Sequence, residues 1–272
     1  MSIITLTTDY GLKDHFVGAL KGKIISQHNE ALIIDISHHI DPFNTSEASY
    51  IIGAAYGSFP KGTVHIIGID IELKEDNQHV AIEWNGHYFI AADNGILSML
   101  IQKIKPQKMV AINIHDRLLP EATDMDVFVT VAVHIAKGGS LSVIGKEIKA
   151  LKEVTELQPV LAADSIKGYV VYIDHFGNAV TNISRKLFLD VAKGRPYEVN
   201  FKGKRVKTIF AKYSDIETAD KQTTTIMGKN LVIFNEAGFL EIGIYKSNPK
   251  IGSASSLLGL TYRDFVMINF NN

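Results

Sequence analysis

Two segments carry most of the potential chemistry of this chain. Thr7-Thr8-Asp9-Tyr10-Gly11-Leu12-Lys13-Asp14 closes the first strand-like run and sets two carboxylates around a tyrosine and a glycine. Ile173-Asp174-His175-Phe176-Gly177-Asn178-Ala179-Val180-Thr181-Asn182 begins on an apolar residue and gathers a carboxylate, an aromatic ring, a glycine and two amides. Carboxylates accept hydrogen bonds from hydroxyl and ammonium groups, an asparagine amide donates and accepts, and glycine lets backbone approach a ligand closely. Both segments suit a grip on a small polar ligand, and together they read as two halves of one site.

Each residue has a plainer reading beside the chemical one. Asp9 can take two bonds from a ribose diol, or it can cap a turn, a common aspartate role. Asp14 is placed to hold a ligand ammonium group or to cap the helix that follows. Asp174–Asn178 is a ligand loop or a hairpin turn on Gly177-Asn178, with Thr181-Asn182 adding polar groups a plain turn does not need. His38-His39, with Asp35 or Asp9, suggests metal only weakly, because a metal site needs a compatible ligand set in three dimensions. Asp93-Asn94-Gly95 reads as a helix cap. The chain has no Walker pattern, no Gly-x-Gly-x-x-Gly after its first strand and no serine in a nucleophile elbow.

The elements that must position these residues change type midway. Ile3–Thr7, Ala31–Ile36, Thr63–Ile69 and Met109–Ile114 read as buried strands. Asp14–Gln27, Ser46–Ser58, Asn94–Ile104 and Asp124–Lys137 carry helical spacing. Asn85-Gly86 between His79–Trp84 and His87–Ala91 is a strong hairpin signal. Strands followed by crossover helices imply a mostly parallel sheet covered on both faces, with ligands beyond the strands' carboxyl ends. Asp9, Ser37-His38-His39 and Asp70 fall there. After Gly168 the pattern becomes short strands: Tyr169–Ile173, Tyr197–Phe201, Arg205–Ile209, Asn230–Phe234, Phe239–Ile244 and Phe265–Ile268, with turns at Lys202-Gly203-Lys204 and Glu236-Ala237-Gly238. Such spacing implies a small antiparallel barrel or sandwich. The expected division is an α/β domain over 1–155, a linker over 156–164 and a β domain over 165–272.

Composition narrows the classes. At 272 residues, 46% hydrophobic and 21% charged, the chain is an ordinary globular one, large enough for two domains. A net charge of −1 gives no basic field for nucleic acid. No apolar run is long enough to span a bilayer, and the first residues lack a signal-peptide pattern. The absence of cysteine excludes disulfides and thiolate chemistry. The expected location is the cytoplasm.

The motifs also resemble a family. Thr7-Thr8-Asp9-Tyr10-Gly11 through Asp14, Val17-Gly18 and Lys21-Gly22 are similar to the opening of the S-adenosylmethionine hydroxide adenosyltransferases, relatives of the S-adenosylmethionine-dependent fluorinase and chlorinase. Asp35-Ile36-Ser37-His38 with Pro42-Phe43, Phe59-Pro60-x-Gly62-Thr63-Val64, Asp93-Asn94-Gly95-x-Leu97, Asp174-His175-Phe176-Gly177-Asn178-x-x-Thr181-Asn182 and Gly238-Phe239-Leu240-Glu241-Ile242 continue the match in order. The resemblance implies an N-terminal Rossmann-like domain, a C-terminal antiparallel β-barrel and a homotrimer with its nucleoside ligand at the subunit interface. It also implies S-adenosylmethionine as substrate, with no cofactor and no metal. By resemblance Asp9 holds the ribose hydroxyls, and Asp14 the methionine ammonium with help from Asp174. Phe43 and Phe176 bind the ligand, Asn178 bonds the adenine, and Asp70 is the catalytic residue.

Two stretches depart from the family. Its hydrolases carry Asp-Pro-Gly-Val-Gly-Thr-x-Arg where this chain has Asp70-Ile71-Glu72-Leu73-Lys74-Glu75-Asp76-Asn77. Its Thr-Phe-His-Gly-Arg-Asp run reads Glu121-Ala122-Thr123-Asp124-Met125-Asp126. Of the Asp-Arg-His set only Asp70 remains, with Lys74, His79 or Arg117 as neighbouring substitutes. The loop that halogenating relatives carry before the Asn-Gly helix is missing. The expected activity is S-adenosylmethionine hydrolysis to adenosine, in weakened form. Restoring Arg at 77 and His at 123 is expected to raise turnover, provided Ile71–Asp76 still places them. The rivals are a non-catalytic adenosine or S-adenosylmethionine sensor and a metal hydrolase using His38 and His39.

Overall fold

In the computed structural model, which describes residues 2–101, 104–154, 158–219 and 227–271, the chain forms two compact units, Met1–Val154 and Thr155–Asn272. The first contains β1 (Ile3–Thr8), α1 (Phe16–Gln27), β2 (Leu32–Ser37), α2 (Thr45–Ala55), β3 (Val64–Gly68), β4 (His79–Trp84), β5 (His87–Ala92), α3 (Ile96–Ile101), β6 (Lys108–Ile112), α4 (Asp124–Ala136), α5 (Leu141–Ile144) and β7 (Gly145–Glu147). Among the described residues these strands form one sheet in the order β2-β1-β3-β5-β4-β6-β7. It is parallel from β2 through β1 and β3 to β5 and antiparallel from β5 through β4 and β6 to β7.

Alternation along the strands builds two cores. Ile4 and Leu6 of β1 and Val64 and Ile66 of β3 pack with Leu20 and Ile24 of α1 and with the apolar body of α4 around Phe128. Ile67, Ile69, Val80 and Ile82 join the other core with Ile52 of α2 and Leu97 of α3. Burial on both faces explains why β1 and β3 read as continuous apolar runs, whereas the strand expected to be buried over Ala31–Ile36 is the edge strand β2, with no buried side chain. Gly68 belongs to the close approach of α4: a Cβ there would stand 2.9 Å from Met125 Cε and 3.0 Å from Thr8 Cγ2. The β4–β5 turn has Asn85 at φ 51° and Gly86 at φ 76°, as an Asn-Gly hairpin requires.

The second unit contains β8 (Val160–Leu161), β9 (Ser165–Ile173), β10 (Ala179–Ser184), α6 (Arg185–Ala192), β11 (Tyr197–Phe201), β12 (Lys204–Val206), α7 (Asp215–Ala219), β13 (Asn230–Phe234), β14 (Phe239–Ile244) and β15 (Phe265–Phe270). Its antiparallel order is β12-β11-β15-β9-β10-β14-β13, with β8 beside β9. Phe210, beyond β12, donates its N–H to Val232 O in β13, bringing the two ends of that order together into a nearly closed barrel. The barrel is filled by Ile166, Val170, Phe201, Leu240, Ile242, Val266 and their neighbours.

Several local expectations need correction. The first helix starts at Phe16, its N-cap position is His15 and no side chain caps it, so Asp14 is not the cap. The strand expected to reach Ile114 ends at Ile112, and His115–Arg117 form a short 3-10 turn. The strand expected over Arg205–Ile209 is only Lys204–Val206. β10 and α6 have no counterpart in the sequence reading. Of the helix expected over Asn94–Ile104, residues 102 and 103 lie outside the described residues. Among the described residues no helix is long and apolar enough to cross a membrane.

Candidate functional site

In the first unit the polar groups gather where the parallel strands end. Thr8 of β1 pairs with Gly68 of β3, so Asp9 and Asp70 leave the same edge of neighbouring strands. Asp9 Oδ2 accepts the Phe43 N–H at 3.1 Å, and Oδ1 has no hydrogen bond among the described residues. That bond accompanies a Phe43 in the left-handed region at φ 63°, and the residue is 72% exposed. A bulky residue rarely adopts this conformation, and such strain clusters where a side chain must be presented. Asp14 is exposed on the segment before α1.

The base of the Asp9 loop is tied down from β2. Thr8 Oγ1 lies 2.7 Å from His38 Nδ1, Gly11 N–H donates to His38 O at 2.7 Å, and His38 Nε2 is 3.1 Å from Asp35 Oδ1. Burial pulls the Asp35 carboxyl upward, but the Lys21 hydrogen bond and the nearby His38 ring outweigh it and hold the carboxyl below its ordinary value. His38 is buried and His39 exposed, so the pair does not act as a unit. Among the described residues no three His, Cys, Asp or Glu side chains are grouped to hold a metal. Tyr10 has its phenol pushed up to about 12, first by burial and then by Asp9 and Asp124.

Asp70 also sits in the left-handed region, at φ 44°. Asn77 fixes the loop beyond it: its Nδ2 donates to Asp70 O at 2.9 Å and to Glu72 O at 3.0 Å. Next to it, His79 Nε2–H donates to Ile71 O at 2.8 Å. Burial holds the His79 imidazole below its ordinary pKa. Its Nδ1 is then an acceptor, 3.0 Å from His115 Nε2. Thr123 opens α4 in a reciprocal capping box with Asp126, and Asp124 Oδ2 accepts the Leu73 N–H at 3.3 Å. Asn94 joins α3 to this edge by donating to Ile69 O at 2.9 Å. Lys74 and Arg117 are exposed, with Lys74 paired to Glu72.

In the second unit Asp174–Asn178 is a hairpin loop closing β9 and β10. Asp174 N–H donates to Asn178 O at 3.0 Å, and Gly177, at φ 77°, donates to Asp174 O at 2.9 Å. The Asp174 carboxylate is engaged inside the loop, by Asn178 N at 2.8 Å and Asn178 Nδ2 at 2.9 Å. The hairpin reading therefore holds, and the loop still presents Phe176, 61% exposed. Asn178 is buried with its amide N–H groups directed to protein acceptors, including Tyr213 Oη and Glu241 Oε1, both at 3.1 Å. Those groups are not free to read a base. Burial raises the carboxyl of Glu241, and burial with the Glu241 bond raises the phenol of Tyr213. Gly177 lies on a serine turn: Ser255 N–H donates to its carbonyl at 2.9 Å, and a Cβ there would overlap Ser253 Oγ.

Profiles of the SAM hydroxide adenosyltransferase N-terminal and C-terminal domains match residues 4–145 and 168–267. The chain belongs to this family. It is 29% identical to an (R)-S-adenosyl-L-methionine hydrolase of Methanocaldococcus jannaschii, over 98% of this chain and 96% of that protein. A fluorinase of Nocardia brasiliensis is 26% identical over 67% of this chain and 71% of its own. The crystal structure of an uncharacterized conserved protein from Thermotoga maritima superposes with a TM-score of 0.83 at 27% identity, covering 99% of this chain and 100% of that one.

The two positions where the resemblance expects arginine and histidine hold structural residues here. Asn77 clamps a loop and Thr123 caps a helix. The double change Asn77→Arg with Thr123→His, expected from sequence to raise turnover, is on this geometry expected instead to lose stability and to gain no turnover. The first change removes two hydrogen bonds worth about 0.5–1.5 kcal/mol each, and the second removes a cap of about 1 kcal/mol. Urea denaturation checks this; a double variant as stable as the parent and faster would return both positions to catalysis. Sequence reasoning assigned no role to Glu241, Tyr213, His115 or the Ser253–Ser256 turn. The one local signal was Glu241, a charge inside the otherwise apolar run Phe239–Ile244.

Proposed function

We propose that this chain hydrolyses S-adenosylmethionine to adenosine and methionine by displacement at the ribose 5′ carbon. The observation that carries the reading is the pair Asp9 and Asp70 at one edge of adjacent parallel strands, in a chain of this family. Water attacks C5′ opposite the sulfur, a C–O bond forms, the C–S bond breaks with its electrons going to sulfur, and the water proton is released. Methionine leaves as a neutral thioether. A sulfonium is a good leaving group, so much of the acceleration comes from alignment.

Asp9 takes the ribose diol, Asp14 the methionine ammonium, and the Phe43 and Phe176 rings cover apolar ligand faces. Asp70 orients the water. Asp174 and Asn178 serve through the shape of their loop. In this reading the protein is a homotrimer in the cytoplasm, each site joining the first domain of one copy to the Asp174–Asn178 loop of its neighbour. The exposure of Phe43 and Phe176 supports a ligand or neighbour at both rings.

Incubation with S-adenosylmethionine and chromatography for adenosine and methionine tests the reaction. Asp9→Ala is expected to weaken nucleoside binding by about 1.5–3 kcal/mol, the worth of hydrogen bonds to a charged group; equal affinity in calorimetry would remove Asp9 from the site. Light scattering is expected to give a trimer, and a monomer binding at full strength would refute the shared site. The structural use of Asn77 and Thr123 favours one alternative, a nucleoside-binding sensor, which would bind tightly and release no methionine.

A further inference from the structure

The barrel contains a buried polar cluster that the proposed reaction does not use directly. Glu241, 6% exposed, receives Asn178 Nδ2 on Oε1 at 3.1 Å and Asn235 Nδ2 on Oε2 at 3.1 Å. Tyr213 donates its hydroxyl to Glu241 Oε1 and accepts Asn178 Nδ2 at 3.1 Å. The same Nδ2 reaches Asp174 Oδ2 at 2.9 Å. One amide thus joins a hairpin loop to residues far away in sequence. From the other side the amide is boxed in by Gly243: a Cβ there would stand 2.7 Å from Asn178 Oδ1 and 3.3 Å from its Cγ. Gly243 is the fifth of the six residues of β14, paired with Leu231 of β13, and its φ is not positive. No backbone turn calls for glycine there, so the close approach of Asn178 is what requires it.

We infer that Glu241, Tyr213 and Gly243 are positioning residues that set the Asp174–Asn178 loop through the Asn178 amide, and so fix where Phe176 is presented. Buried polar groups are costly unless paired. A cluster in which Asp174, Tyr213 and Glu241 all meet on the Asn178 amide specifies one rotamer of that side chain. With Nδ2 drawn toward Tyr213 and Glu241, Asp174 Oδ2 is held by the same group, and Asp174 Oδ1 then holds the Asn178 N–H at 2.8 Å. The loop closes through this chain of contacts. The consequence for the reaction rests on the proposed function, while the positioning itself does not.

Three single variants approach the amide from different sides. Tyr213→Phe removes one hydroxyl from a residue that is itself 38% exposed. Gly243→Ala crowds the amide, and Glu241→Gln keeps the shape but replaces an acceptor oxygen with a donor. Tyr245→Phe is the control: it removes a hydroxyl that donates to another carboxylate of the same domain, Glu217. Hydrogen exchange of the 174–178 segment is the first readout. Tyr213→Phe and Gly243→Ala are expected to lower protection at Asn178 at least about tenfold, and Tyr245→Phe to leave it unchanged. The second readout is a double-mutant cycle: in an Asn178→Ala background, Tyr213→Phe is expected to add no further effect. The third is kinetic, a rise in KM larger than the fall in kcat, with S-adenosylmethionine as the probe.

Unchanged protection in both variants overturns the inference. So does an equal loss in Tyr245→Phe, or additivity in the Asn178→Ala background. If the parent releases no adenosine, the hydrolase reading fails by itself, and exchange still decides whether the cluster positions the loop.

Discussion

Asp70→Asn is expected to slow adenosine formation by about 10²–10⁴-fold, the usual contribution of a group handling a proton in the transition state, while nucleoside affinity stays near that of the parent. The amide has the shape of the carboxylate but cannot carry the charge that holds a water by its hydrogen. The backbone of Asp70 is held in its left-handed conformation by Asn77, through its own carbonyl, and that bond survives the change. A drop in rate with the loop intact therefore reports on the carboxylate. The Asn77 amide and the Thr123 hydroxyl do not titrate near neutrality, and the Nδ1 of His79 faces His115. Single-turnover rates of parent and variant decide the matter. Equal rates would move the chemistry to another residue. Tight binding with no turnover in either would make the protein a sensor.

A second large effect is expected at the other end of β3 and β5. His65 is 1% exposed, with Nδ1 2.7 Å from Thr5 Oγ1 and Nε2 3.2 Å from His87 Nδ1. Its imidazole is pushed down to about 3, mainly by burial and further by His87. The unfolded chain binds this proton near pH 6.5 and the folded chain does not, so stability is full above pH 6.5 and is lost as pH falls toward 3. Between pH 7 and 5 the loss from this one group is about 2 kcal/mol. Burial also lowers His87 and His79, which adds to the loss in the same direction. Raised carboxyls such as Glu241 act oppositely, so the comparison must be made against His65→Gln. Urea midpoints at both pH values are expected to show a steeper decline for the parent. Parallel declines would mean that His65 titrates as freely as in the unfolded chain.

The parallel part of the first sheet was legible because β1 and β3 are buried on both faces and read as apolar runs. From that pattern alone, Asp9 and Asp70 fell at the strand ends. Tyr197–Phe201, Asn230–Phe234 and Phe239–Ile244 were legible to the residue, since Lys202-Gly203 and Gly238 mark where each hairpin turns. β10 was hidden because most of Ala179–Ser184 is read as part of a polar motif, although four of its six side chains are buried and the other two half covered on an antiparallel pair. The double use of Asp14 was unresolvable in sequence, because a cap and an exposed carboxylate before a helix share one spacing. The contacts of Asn77 with Asp70 and of Tyr213 with Glu241 are tertiary. No local period announces that an amide will close a loop or that a phenol will find a buried acid.

The clamp made by Asn77 also bears on how this loop tolerates change. Ile71–Asp76 carries bulky and charged residues, and its shape depends on two bonds from a single amide. A lone Asn77→Arg change loses both bonds at once. Substitutions at Asn77 and within Ile71–Asp76 are therefore expected to be epistatic, each tolerated according to the state of the other. Laboratory evolution from this background is expected to find new proton acceptors nearby before it alters Asn77.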